Sequence, residues 1–159
     1  MTSGYGYRIS PKGFHDGVDI RNSLYDAVVA ADVGRVSAIR SGGLGGNEIE
    51  VTHPDGSRAW YNHTTPAVRV GQAVAEGELI GFTDLTGRTN CPHLHYEYSP
   101  SGSRTARTDP MKHLQGATPY PYRGGGPDGF FPPGKGKPGC AGGPRDDVES
   151  AMPLAGRKQ

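Results

Sequence analysis

Residues 90–98 read Asn90-Cys91-Pro92-His93-Leu94-His95-Tyr96-Glu97-Tyr98. As a strand this stretch splits into two faces, because successive side chains point opposite ways. Leu94, Tyr96 and Tyr98 take one face and suit a core. His93, His95 and Glu97 take the other. Two imidazoles at i and i+2 point into the same space, which suits a metal site where one ligates and its neighbour handles a proton. An exposed polar face on an edge strand would alternate in the same way, so a metal site needs further ligands from elsewhere in the chain.

Upstream, His15-Asp16-Gly17-Val18-Asp19-Ile20 offers a nitrogen and a carboxylate. His15 and Asp19 fall on one face of an extended segment, and would also be neighbours on a helix. Gly17 and the β-branched Val18 and Ile20 favour strand or loop. The remaining chain reads as short strands. Ala27 to Ala31 and Gly34 to Ile39 are two of them, with a turn at Asp32-Val33-Gly34. Asn47 to His53 alternates, with Ile49 and Val51 on one face and Glu48, Glu50 and Thr52 on the other. The turn His53-Pro54-Asp55-Gly56 leads into Ser57 to His63, where Ala59, Tyr61 and His63 share a face and Trp60 and Asn62 take the opposite one. His53 reads as solvated, and His63 is ambiguous on its own. Val70 to Gly81 reads as a tight hairpin with paired glycines. Met111 to Leu114 reads as a short helical turn with His113 on the surface.

Ser41 to Gly46 is glycine-rich but lacks the GxxxxGK[ST] pattern of a phosphate cradle. The 70–81 hairpin also resembles those of biotinyl and lipoyl carrier domains, which present a lysine for modification. This chain has no lysine between Lys12 and Lys112, so the carrier reading lacks its attachment site.

Length and composition agree with one domain and a tail. The chain has 159 residues and a formal net charge of +1, a balance that points away from nucleic acid and anionic membranes. No apolar run approaches the ~20 residues of a membrane span. Met1 to Ser10 lacks the charged start and apolar core of a secretory signal peptide. Cys91 and Cys140 do not make a disulfide framework; Cys91 reads as a small core filler, with a soft metal ligand as the competing role. From Gly116 onward the composition shifts to 11 Gly and 8 Pro in 44 residues, typical of a flexible segment, with at best a helical turn at 146–154. The expected organisation is an all-β domain of antiparallel short strands over residues 1–115 and a Gly/Pro-rich tail over 116–159.

Pro92-His93-Leu94-His95, His15-Asp16-Gly17-Val18-Asp19 and Trp60-Tyr61-Asn62-His63 together resemble the lysostaphin/LytM-type zinc endopeptidases of bacterial cell walls. The resemblance runs from Gly4 to Leu114. It takes in Asn47 after a glycine loop, the Gly71 to Gly81 segment and Asp109-Pro110. Cys91 and Ser23-Leu24-Tyr25 depart from the family's usual pattern. The resemblance implies that His15, Asp19 and His95 bind one zinc ion, and that His63 and His93 are the catalytic pair. It implies a peptidoglycan endopeptidase acting on stem peptides or cross-bridges as a monomer, without membrane insertion. Without a signal peptide, a bacteriophage lysin fits, released from the host cytoplasm or carried by a virion to act on the cell wall, with a truncated bacterial enzyme as the other source. The alternative is a non-catalytic LytM-like module that binds or regulates wall hydrolases. Physical logic runs alongside: three protein ligands leave a zinc position open, His93 could serve as general base, and His63 could stabilise an oxyanion or protonate the leaving amine. Glu97 reads equally as a residue supporting a ligand from behind and as an exposed rim residue. Tyr5, Tyr7 and Tyr61 are weaker candidates for transition-state contacts.

Overall fold

The computed structural model describes residues 3–9 and 12–114; the tail expected over 116–159, with its helical turn, lies outside the described residues. The chain forms strands β1 (Gly6–Arg8), β2 (Gly13–His15), β3 (Val18–Arg21), β4 (Ala27–Val29), β5 (Gly34–Arg40), β6 (Glu48–Thr52), β7 (Arg58–Asn62), β8 (Thr64–Pro66), β9 (Ala73–Val74), β10 (Leu79–Thr83) and β11 (His93–Ser99), then a one-turn helix α1 (Met111–Leu114). The main sheet has the order β3-β11-β7-β6-β5-β9, a second sheet the order β4-β10-β8, and β1 and β2 form a ribbon. Every strand pairing is antiparallel, as the short alternating strands predict. No helix among the described residues is long and apolar enough to cross a membrane.

The main sheet buries both faces, but with opposite chemistry. Leu94, Tyr96 and Tyr98 of β11 join Tyr61, Ala59, Ile49, Val51, Val36 and Val18 in one apolar cluster with Val28 and Ile80 of the second sheet. On the other face, Trp60, Asn62, Glu48, Glu50 and Glu97 are also buried. The carboxylates there are roofed by arginines. Arg104 grips Glu48 through two nitrogens at 2.9 and 2.6 Å, Arg40 reaches Glu48 and Glu50 at 2.9 and 2.8 Å, and Trp60 Nε1 donates to Glu50 at 2.9 Å. Burial alone would raise the Glu50 carboxyl, but the bonds from Trp60, Arg40 and Ser37 hold it below its ordinary range.

Several local expectations change. β4 and β5 do not pair with each other; β4 pairs β10 and β5 pairs β6 and β9. Residues 70–81 do not close a hairpin either, since β9 joins the main sheet and β10 the second. The glycines of that segment, Gly71 and Gly77, instead take positive φ at turns that carry the chain between sheets. His53 is buried, its Nδ1 donating to the Val33 carbonyl at 2.8 Å. His113 is 5% exposed and stacks on Tyr98 with ring centroids 4.0 Å apart. Cys91 is disulfide-bonded, so it is neither a core thiol nor a free metal ligand.

Gly17 sits where the chain between His15 and Asp19 passes close over β11. A Cβ there would run into the Tyr96 carbonyl and reach 3.0 Å from Glu97 Cγ. Gly17→Ala is therefore expected to destabilise the domain by about 1–3 kcal/mol through overpacking, read as a lower urea midpoint; an unchanged midpoint would show that the turn moves aside freely.

Candidate metal centre and active site

The site begins with strand register. β11 lies between β3 and β7, so His95 faces Asp19 on one side and Asn62 on the other. Directly opposed residues stand about 4.5–5.5 Å apart at Cβ, and Asp19 and His95 meet with Nδ1 to Oδ1 at 2.9 Å. His15, the last residue of β2, comes in from the ribbon. Its Nε2 lies 3.2 Å from Asp19 Oδ1 and 3.0 Å from His95 Nδ1. One ligand atom from each of His15, Asp19 and His95 lies within 4.8 Å of the others.

Hydrogen bonds outside this cluster settle which ring nitrogens face inward. His15 Nδ1 lies 2.7 Å from the Gly4 carbonyl, which can only accept, so this nitrogen carries the proton and Nε2 presents its lone pair. By the same reasoning His63 Nδ1 donates to the Thr86 carbonyl at 2.7 Å, and His93 Nδ1 to the Cys91 carbonyl at 2.9 Å. His95 is turned the other way. Its Nε2 lies 3.1 Å from Glu97 Oε1, which leaves Nδ1 for the centre.

Two ring nitrogens 3.0 Å apart beside a carboxylate oxygen make a centre that favours a cation. Burial would lower the His95 pKa, but the bonds to Asp19 and Glu97 push it up to about 9. Burial likewise would raise Asp19, but the bonds and charges of His15 and His95 hold it well below the usual carboxylate range. The donor set of two imidazoles and one carboxylate suits a catalytic zinc site with an open position.

His63 and His93 stand beside this centre, their ring centroids 4.7 Å apart. His93 Nε2 is 3.5 Å from Asp19 Oδ1. His63 reaches the site by an unexpected route. Strand alternation places it on the core face with Tyr61, yet β7 ends at Asn62 and His63 takes φ 57°. That left-handed residue redirects the ring to the polar side, a conformation a non-glycine residue keeps only when its surroundings hold it. The holders are explicit. His63 N donates to the Gly45 carbonyl at 2.9 Å, and its own carbonyl accepts from Asp84 N at 2.8 Å. Burial, with the nearby His93 and His95, lowers the His63 pKa against the opposing bond to Thr86.

All five predicted site residues thus come together. Of the three tyrosines, Tyr61 does not join them. Tyr61 lies in the core with its hydroxyl accepting from Ala31 N at 2.8 Å. Tyr5 OH donates to the Arg107 carbonyl at 3.0 Å, and Tyr7 is 89% exposed against Phe14. Sequence reading missed Arg8, whose Nη2 lies 2.7 Å from Asp19 Oδ2 and which no local pattern marks. It also missed Asp84 and Thr86, which hold His63; the Asp84 side chain accepting from the N–H two residues on is an Asx-type turn that Asp-x-Thr could have signalled. The glycine loop at 41–46 has a structural use, because a Cβ on Gly46 would collide with Thr86.

Residues 13–108 match the family model described as Peptidase family M23. The glycyl-glycine endopeptidase ALE-1 of Staphylococcus capitis is 36% identical over 124 residues, covering 72% of this chain and 34% of that protein. The chain therefore spans about a third of that curated relative's length. Among solved structures, the catalytic domain of the antimicrobial peptidase lysostaphin from Staphylococcus simulans is 35% identical with a TM-score of 0.62, covering 69% of this chain and 87% of that one. A zinc-containing peptidase from Vibrio cholerae is 28% identical with a TM-score of 0.61, covering 69% of this chain and 35% of that one.

Asp84 gives a pH test of the scaffold under His63. Its carboxylate accepts from Thr86 N and Oγ1 at 2.8 and 2.6 Å and from Asn47 Nδ2 and Thr65 Oγ1 at 2.8 and 2.9 Å. Burial would raise its pKa, but these bonds lower it. A depressed folded-state pKa contributes stability that is complete above the ordinary value and lost as pH falls through the lowered one. Asp84→Asn should therefore cost about 1–3 kcal/mol at neutral pH, with the gap to wild type closing as pH falls below about 4. Urea unfolding over a pH series reads this, and a gap that stays constant into acid would remove Asp84 from that role.

Proposed function

Because the chain belongs to peptidase family M23, we propose that it is a zinc-dependent endopeptidase that hydrolyses amide bonds in peptidoglycan stem peptides or cross-bridges. The observation that carries the reading is the convergence of His15 Nε2, Asp19 Oδ1 and His95 Nδ1 beside a second pair of histidines whose Nε2 atoms are free of backbone partners. A zinc ion bound there would supply Lewis-acid polarisation and a nucleophile at neutral pH. The names of the relatives support the substrate class, since ALE-1 is a glycyl-glycine endopeptidase.

The chain's own residues divide the work. His15, Asp19 and His95 hold the metal. His93, with Nδ1 occupied by the Cys91 carbonyl, offers Nε2 to take the proton of the attacking water. His63, with Nδ1 occupied by Thr86, offers Nε2 from the other side. Its lowered pKa makes its cation a ready acid, suited to bonding the developing oxyanion and passing a proton to the departing amine. The carbonyl anchors keep both rings from turning, so little reorganisation remains for the reaction itself.

The test is the purified 159-residue chain with defined peptidoglycan fragments, with and without a chelator, read by mass spectrometry. About one zinc per chain is expected. His95→Ala should lose zinc and activity together, whereas His93→Ala and His63→Ala should keep zinc and lose about 10²-fold or more in turnover. A wild type that binds zinc but cleaves nothing would favour a non-catalytic binding module. Retention of zinc and full activity by both His93→Ala and His95→Ala would place the site elsewhere.

A further inference from the structure

His95 is anchored differently from the other three histidines of the site. Those rings are each held by a backbone carbonyl, with Thr89 Oγ1 also 3.2 Å from His93 Nδ1, whereas His95 Nε2 has only a side chain, Glu97, among the described residues. Glu97 is 7% exposed; among the described residues its Oε2 makes no hydrogen bond of acceptable geometry and meets Arg107 as an ion pair. Its Oε1 also accepts from Asn62 Nδ2 at 3.2 Å, and its Oε2 lies 2.5 Å from Arg107 Nε. Arg107 belongs to the loop after β11, distant in sequence from every ligand. Its Nη1 lies 3.0 Å from Asp16 Oδ2, the residue next to His15, and its carbonyl accepts from Tyr5 OH. Its guanidinium sits over the Trp60 ring at 5.7 Å. One planar fork thus joins the strand carrying His95 to the turn carrying His15 and Asp19.

From this geometry we propose that Glu97 and Arg107 are positioning residues for the metal ligands. Glu97 accepts the Nε2 proton of His95 and so directs the Nδ1 lone pair into the centre, and Arg107 fixes Glu97 while tying it to Asp16. The inference rests on the metal reading given above. A neutral imidazole has two tautomers, and only the one protonated at Nε2 can ligate through Nδ1. Without an acceptor at Glu97, His95 loses both that choice and its ring orientation. Arginine is needed because a lysine ammonium offers no planar fork to span two carboxylates.

The experiment uses the full chain and zinc alone, with affinity measured by competition against a chromophoric chelator. Glu97→Ala is expected to weaken zinc binding about 10–100-fold. Glu97→Gln keeps a carbonyl that can accept from Nε2, so it should restore most of that loss. Arg107→Ala should weaken zinc roughly tenfold, and the double variant should lose no more than Glu97→Ala, because Arg107 acts through Glu97. The urea midpoint of the metal-free proteins separates these losses from unfolding. Zinc affinity in Glu97→Ala within about twofold of wild type would overturn the inference, as would a loss in Glu97→Gln as large as in Glu97→Ala. If Glu97→Ala does not fold, Arg107→Ala decides: a zinc loss at an unchanged midpoint supports the proposal, and any other result overturns it. A wild type that binds no zinc refutes the proposed function itself, an outcome distinct from variants that bind it as wild type does.

Discussion

The pairing of β11 with β3 sets Asp19 opposite His95, and the polar site is built out from that opposition. A slip of one residue would turn every side chain of β11 to the other face. His93, His95 and Glu97 would enter the apolar cluster, and Leu94, Tyr96 and Tyr98 would leave it. Register is therefore enforced from the core side, where Tyr96 packs on Tyr61 with ring centroids 5.1 Å apart. The hydrophobic face that stabilises the sheet is what aligns His93, His95 and Glu97 on the reverse. Stability and site geometry are two readings of one constraint.

The reverse face sets its own demand. Carboxylates at Glu48, Glu50 and Glu97 are buried, and a buried charge is costly unless it is paired and hydrogen-bonded. Arg40, Arg104 and Arg107 supply the pairing, with Arg104 and Arg107 lying over Trp60. Such pairs contribute little net stability, because desolvation offsets the attraction. Their effect is positional: removing one partner leaves the other buried and unpaired, so the loop after β11 is held against the sheet at the point where Glu97 meets His95.

Much of this was legible from local pattern. The two faces of residues 93–98, the alternation of 48–52 and the nearness of His15 to Asp19 all follow from a period of two and a short turn. What escaped was decided at long range or by backbone exceptions. His63 was assigned to the wrong face because φ 57° breaks the alternation, and the bonds that hold that conformation come from residues 45 and 84. Residues 70–81 have hairpin spacing, yet their strands pair with partners elsewhere. His53 and His113 read as surface because their burial depends on each other and on Tyr98. Arg8 and Arg107 carry no local signature at all; only the folded chain places them beside carboxylates.

The anchoring of the four histidines shows where such a site can change. A backbone carbonyl cannot be removed by substituting its own residue, so the orientations of His15, His63 and His93 depend on loop geometry at Gly4, Thr86 and Cys91. Disturbing them requires moving the loop. The Thr86 loop is fastened by Asp84, Asn47 and the close approach of Gly46. Thr89 Oγ1 near His93 Nδ1 only adds to the Cys91 carbonyl. His95 differs in that its Nε2 has no backbone carbonyl beside it among the described residues and is oriented by a side chain alone, which one codon change can replace. A carboxylate there raises the basicity of the ring it accepts from, and an amide would do so less. Under the proposed metal reading, Glu97 is thus the position where the orientation and basicity of His95 can be tuned without replacing His15, Asp19 or His95 itself.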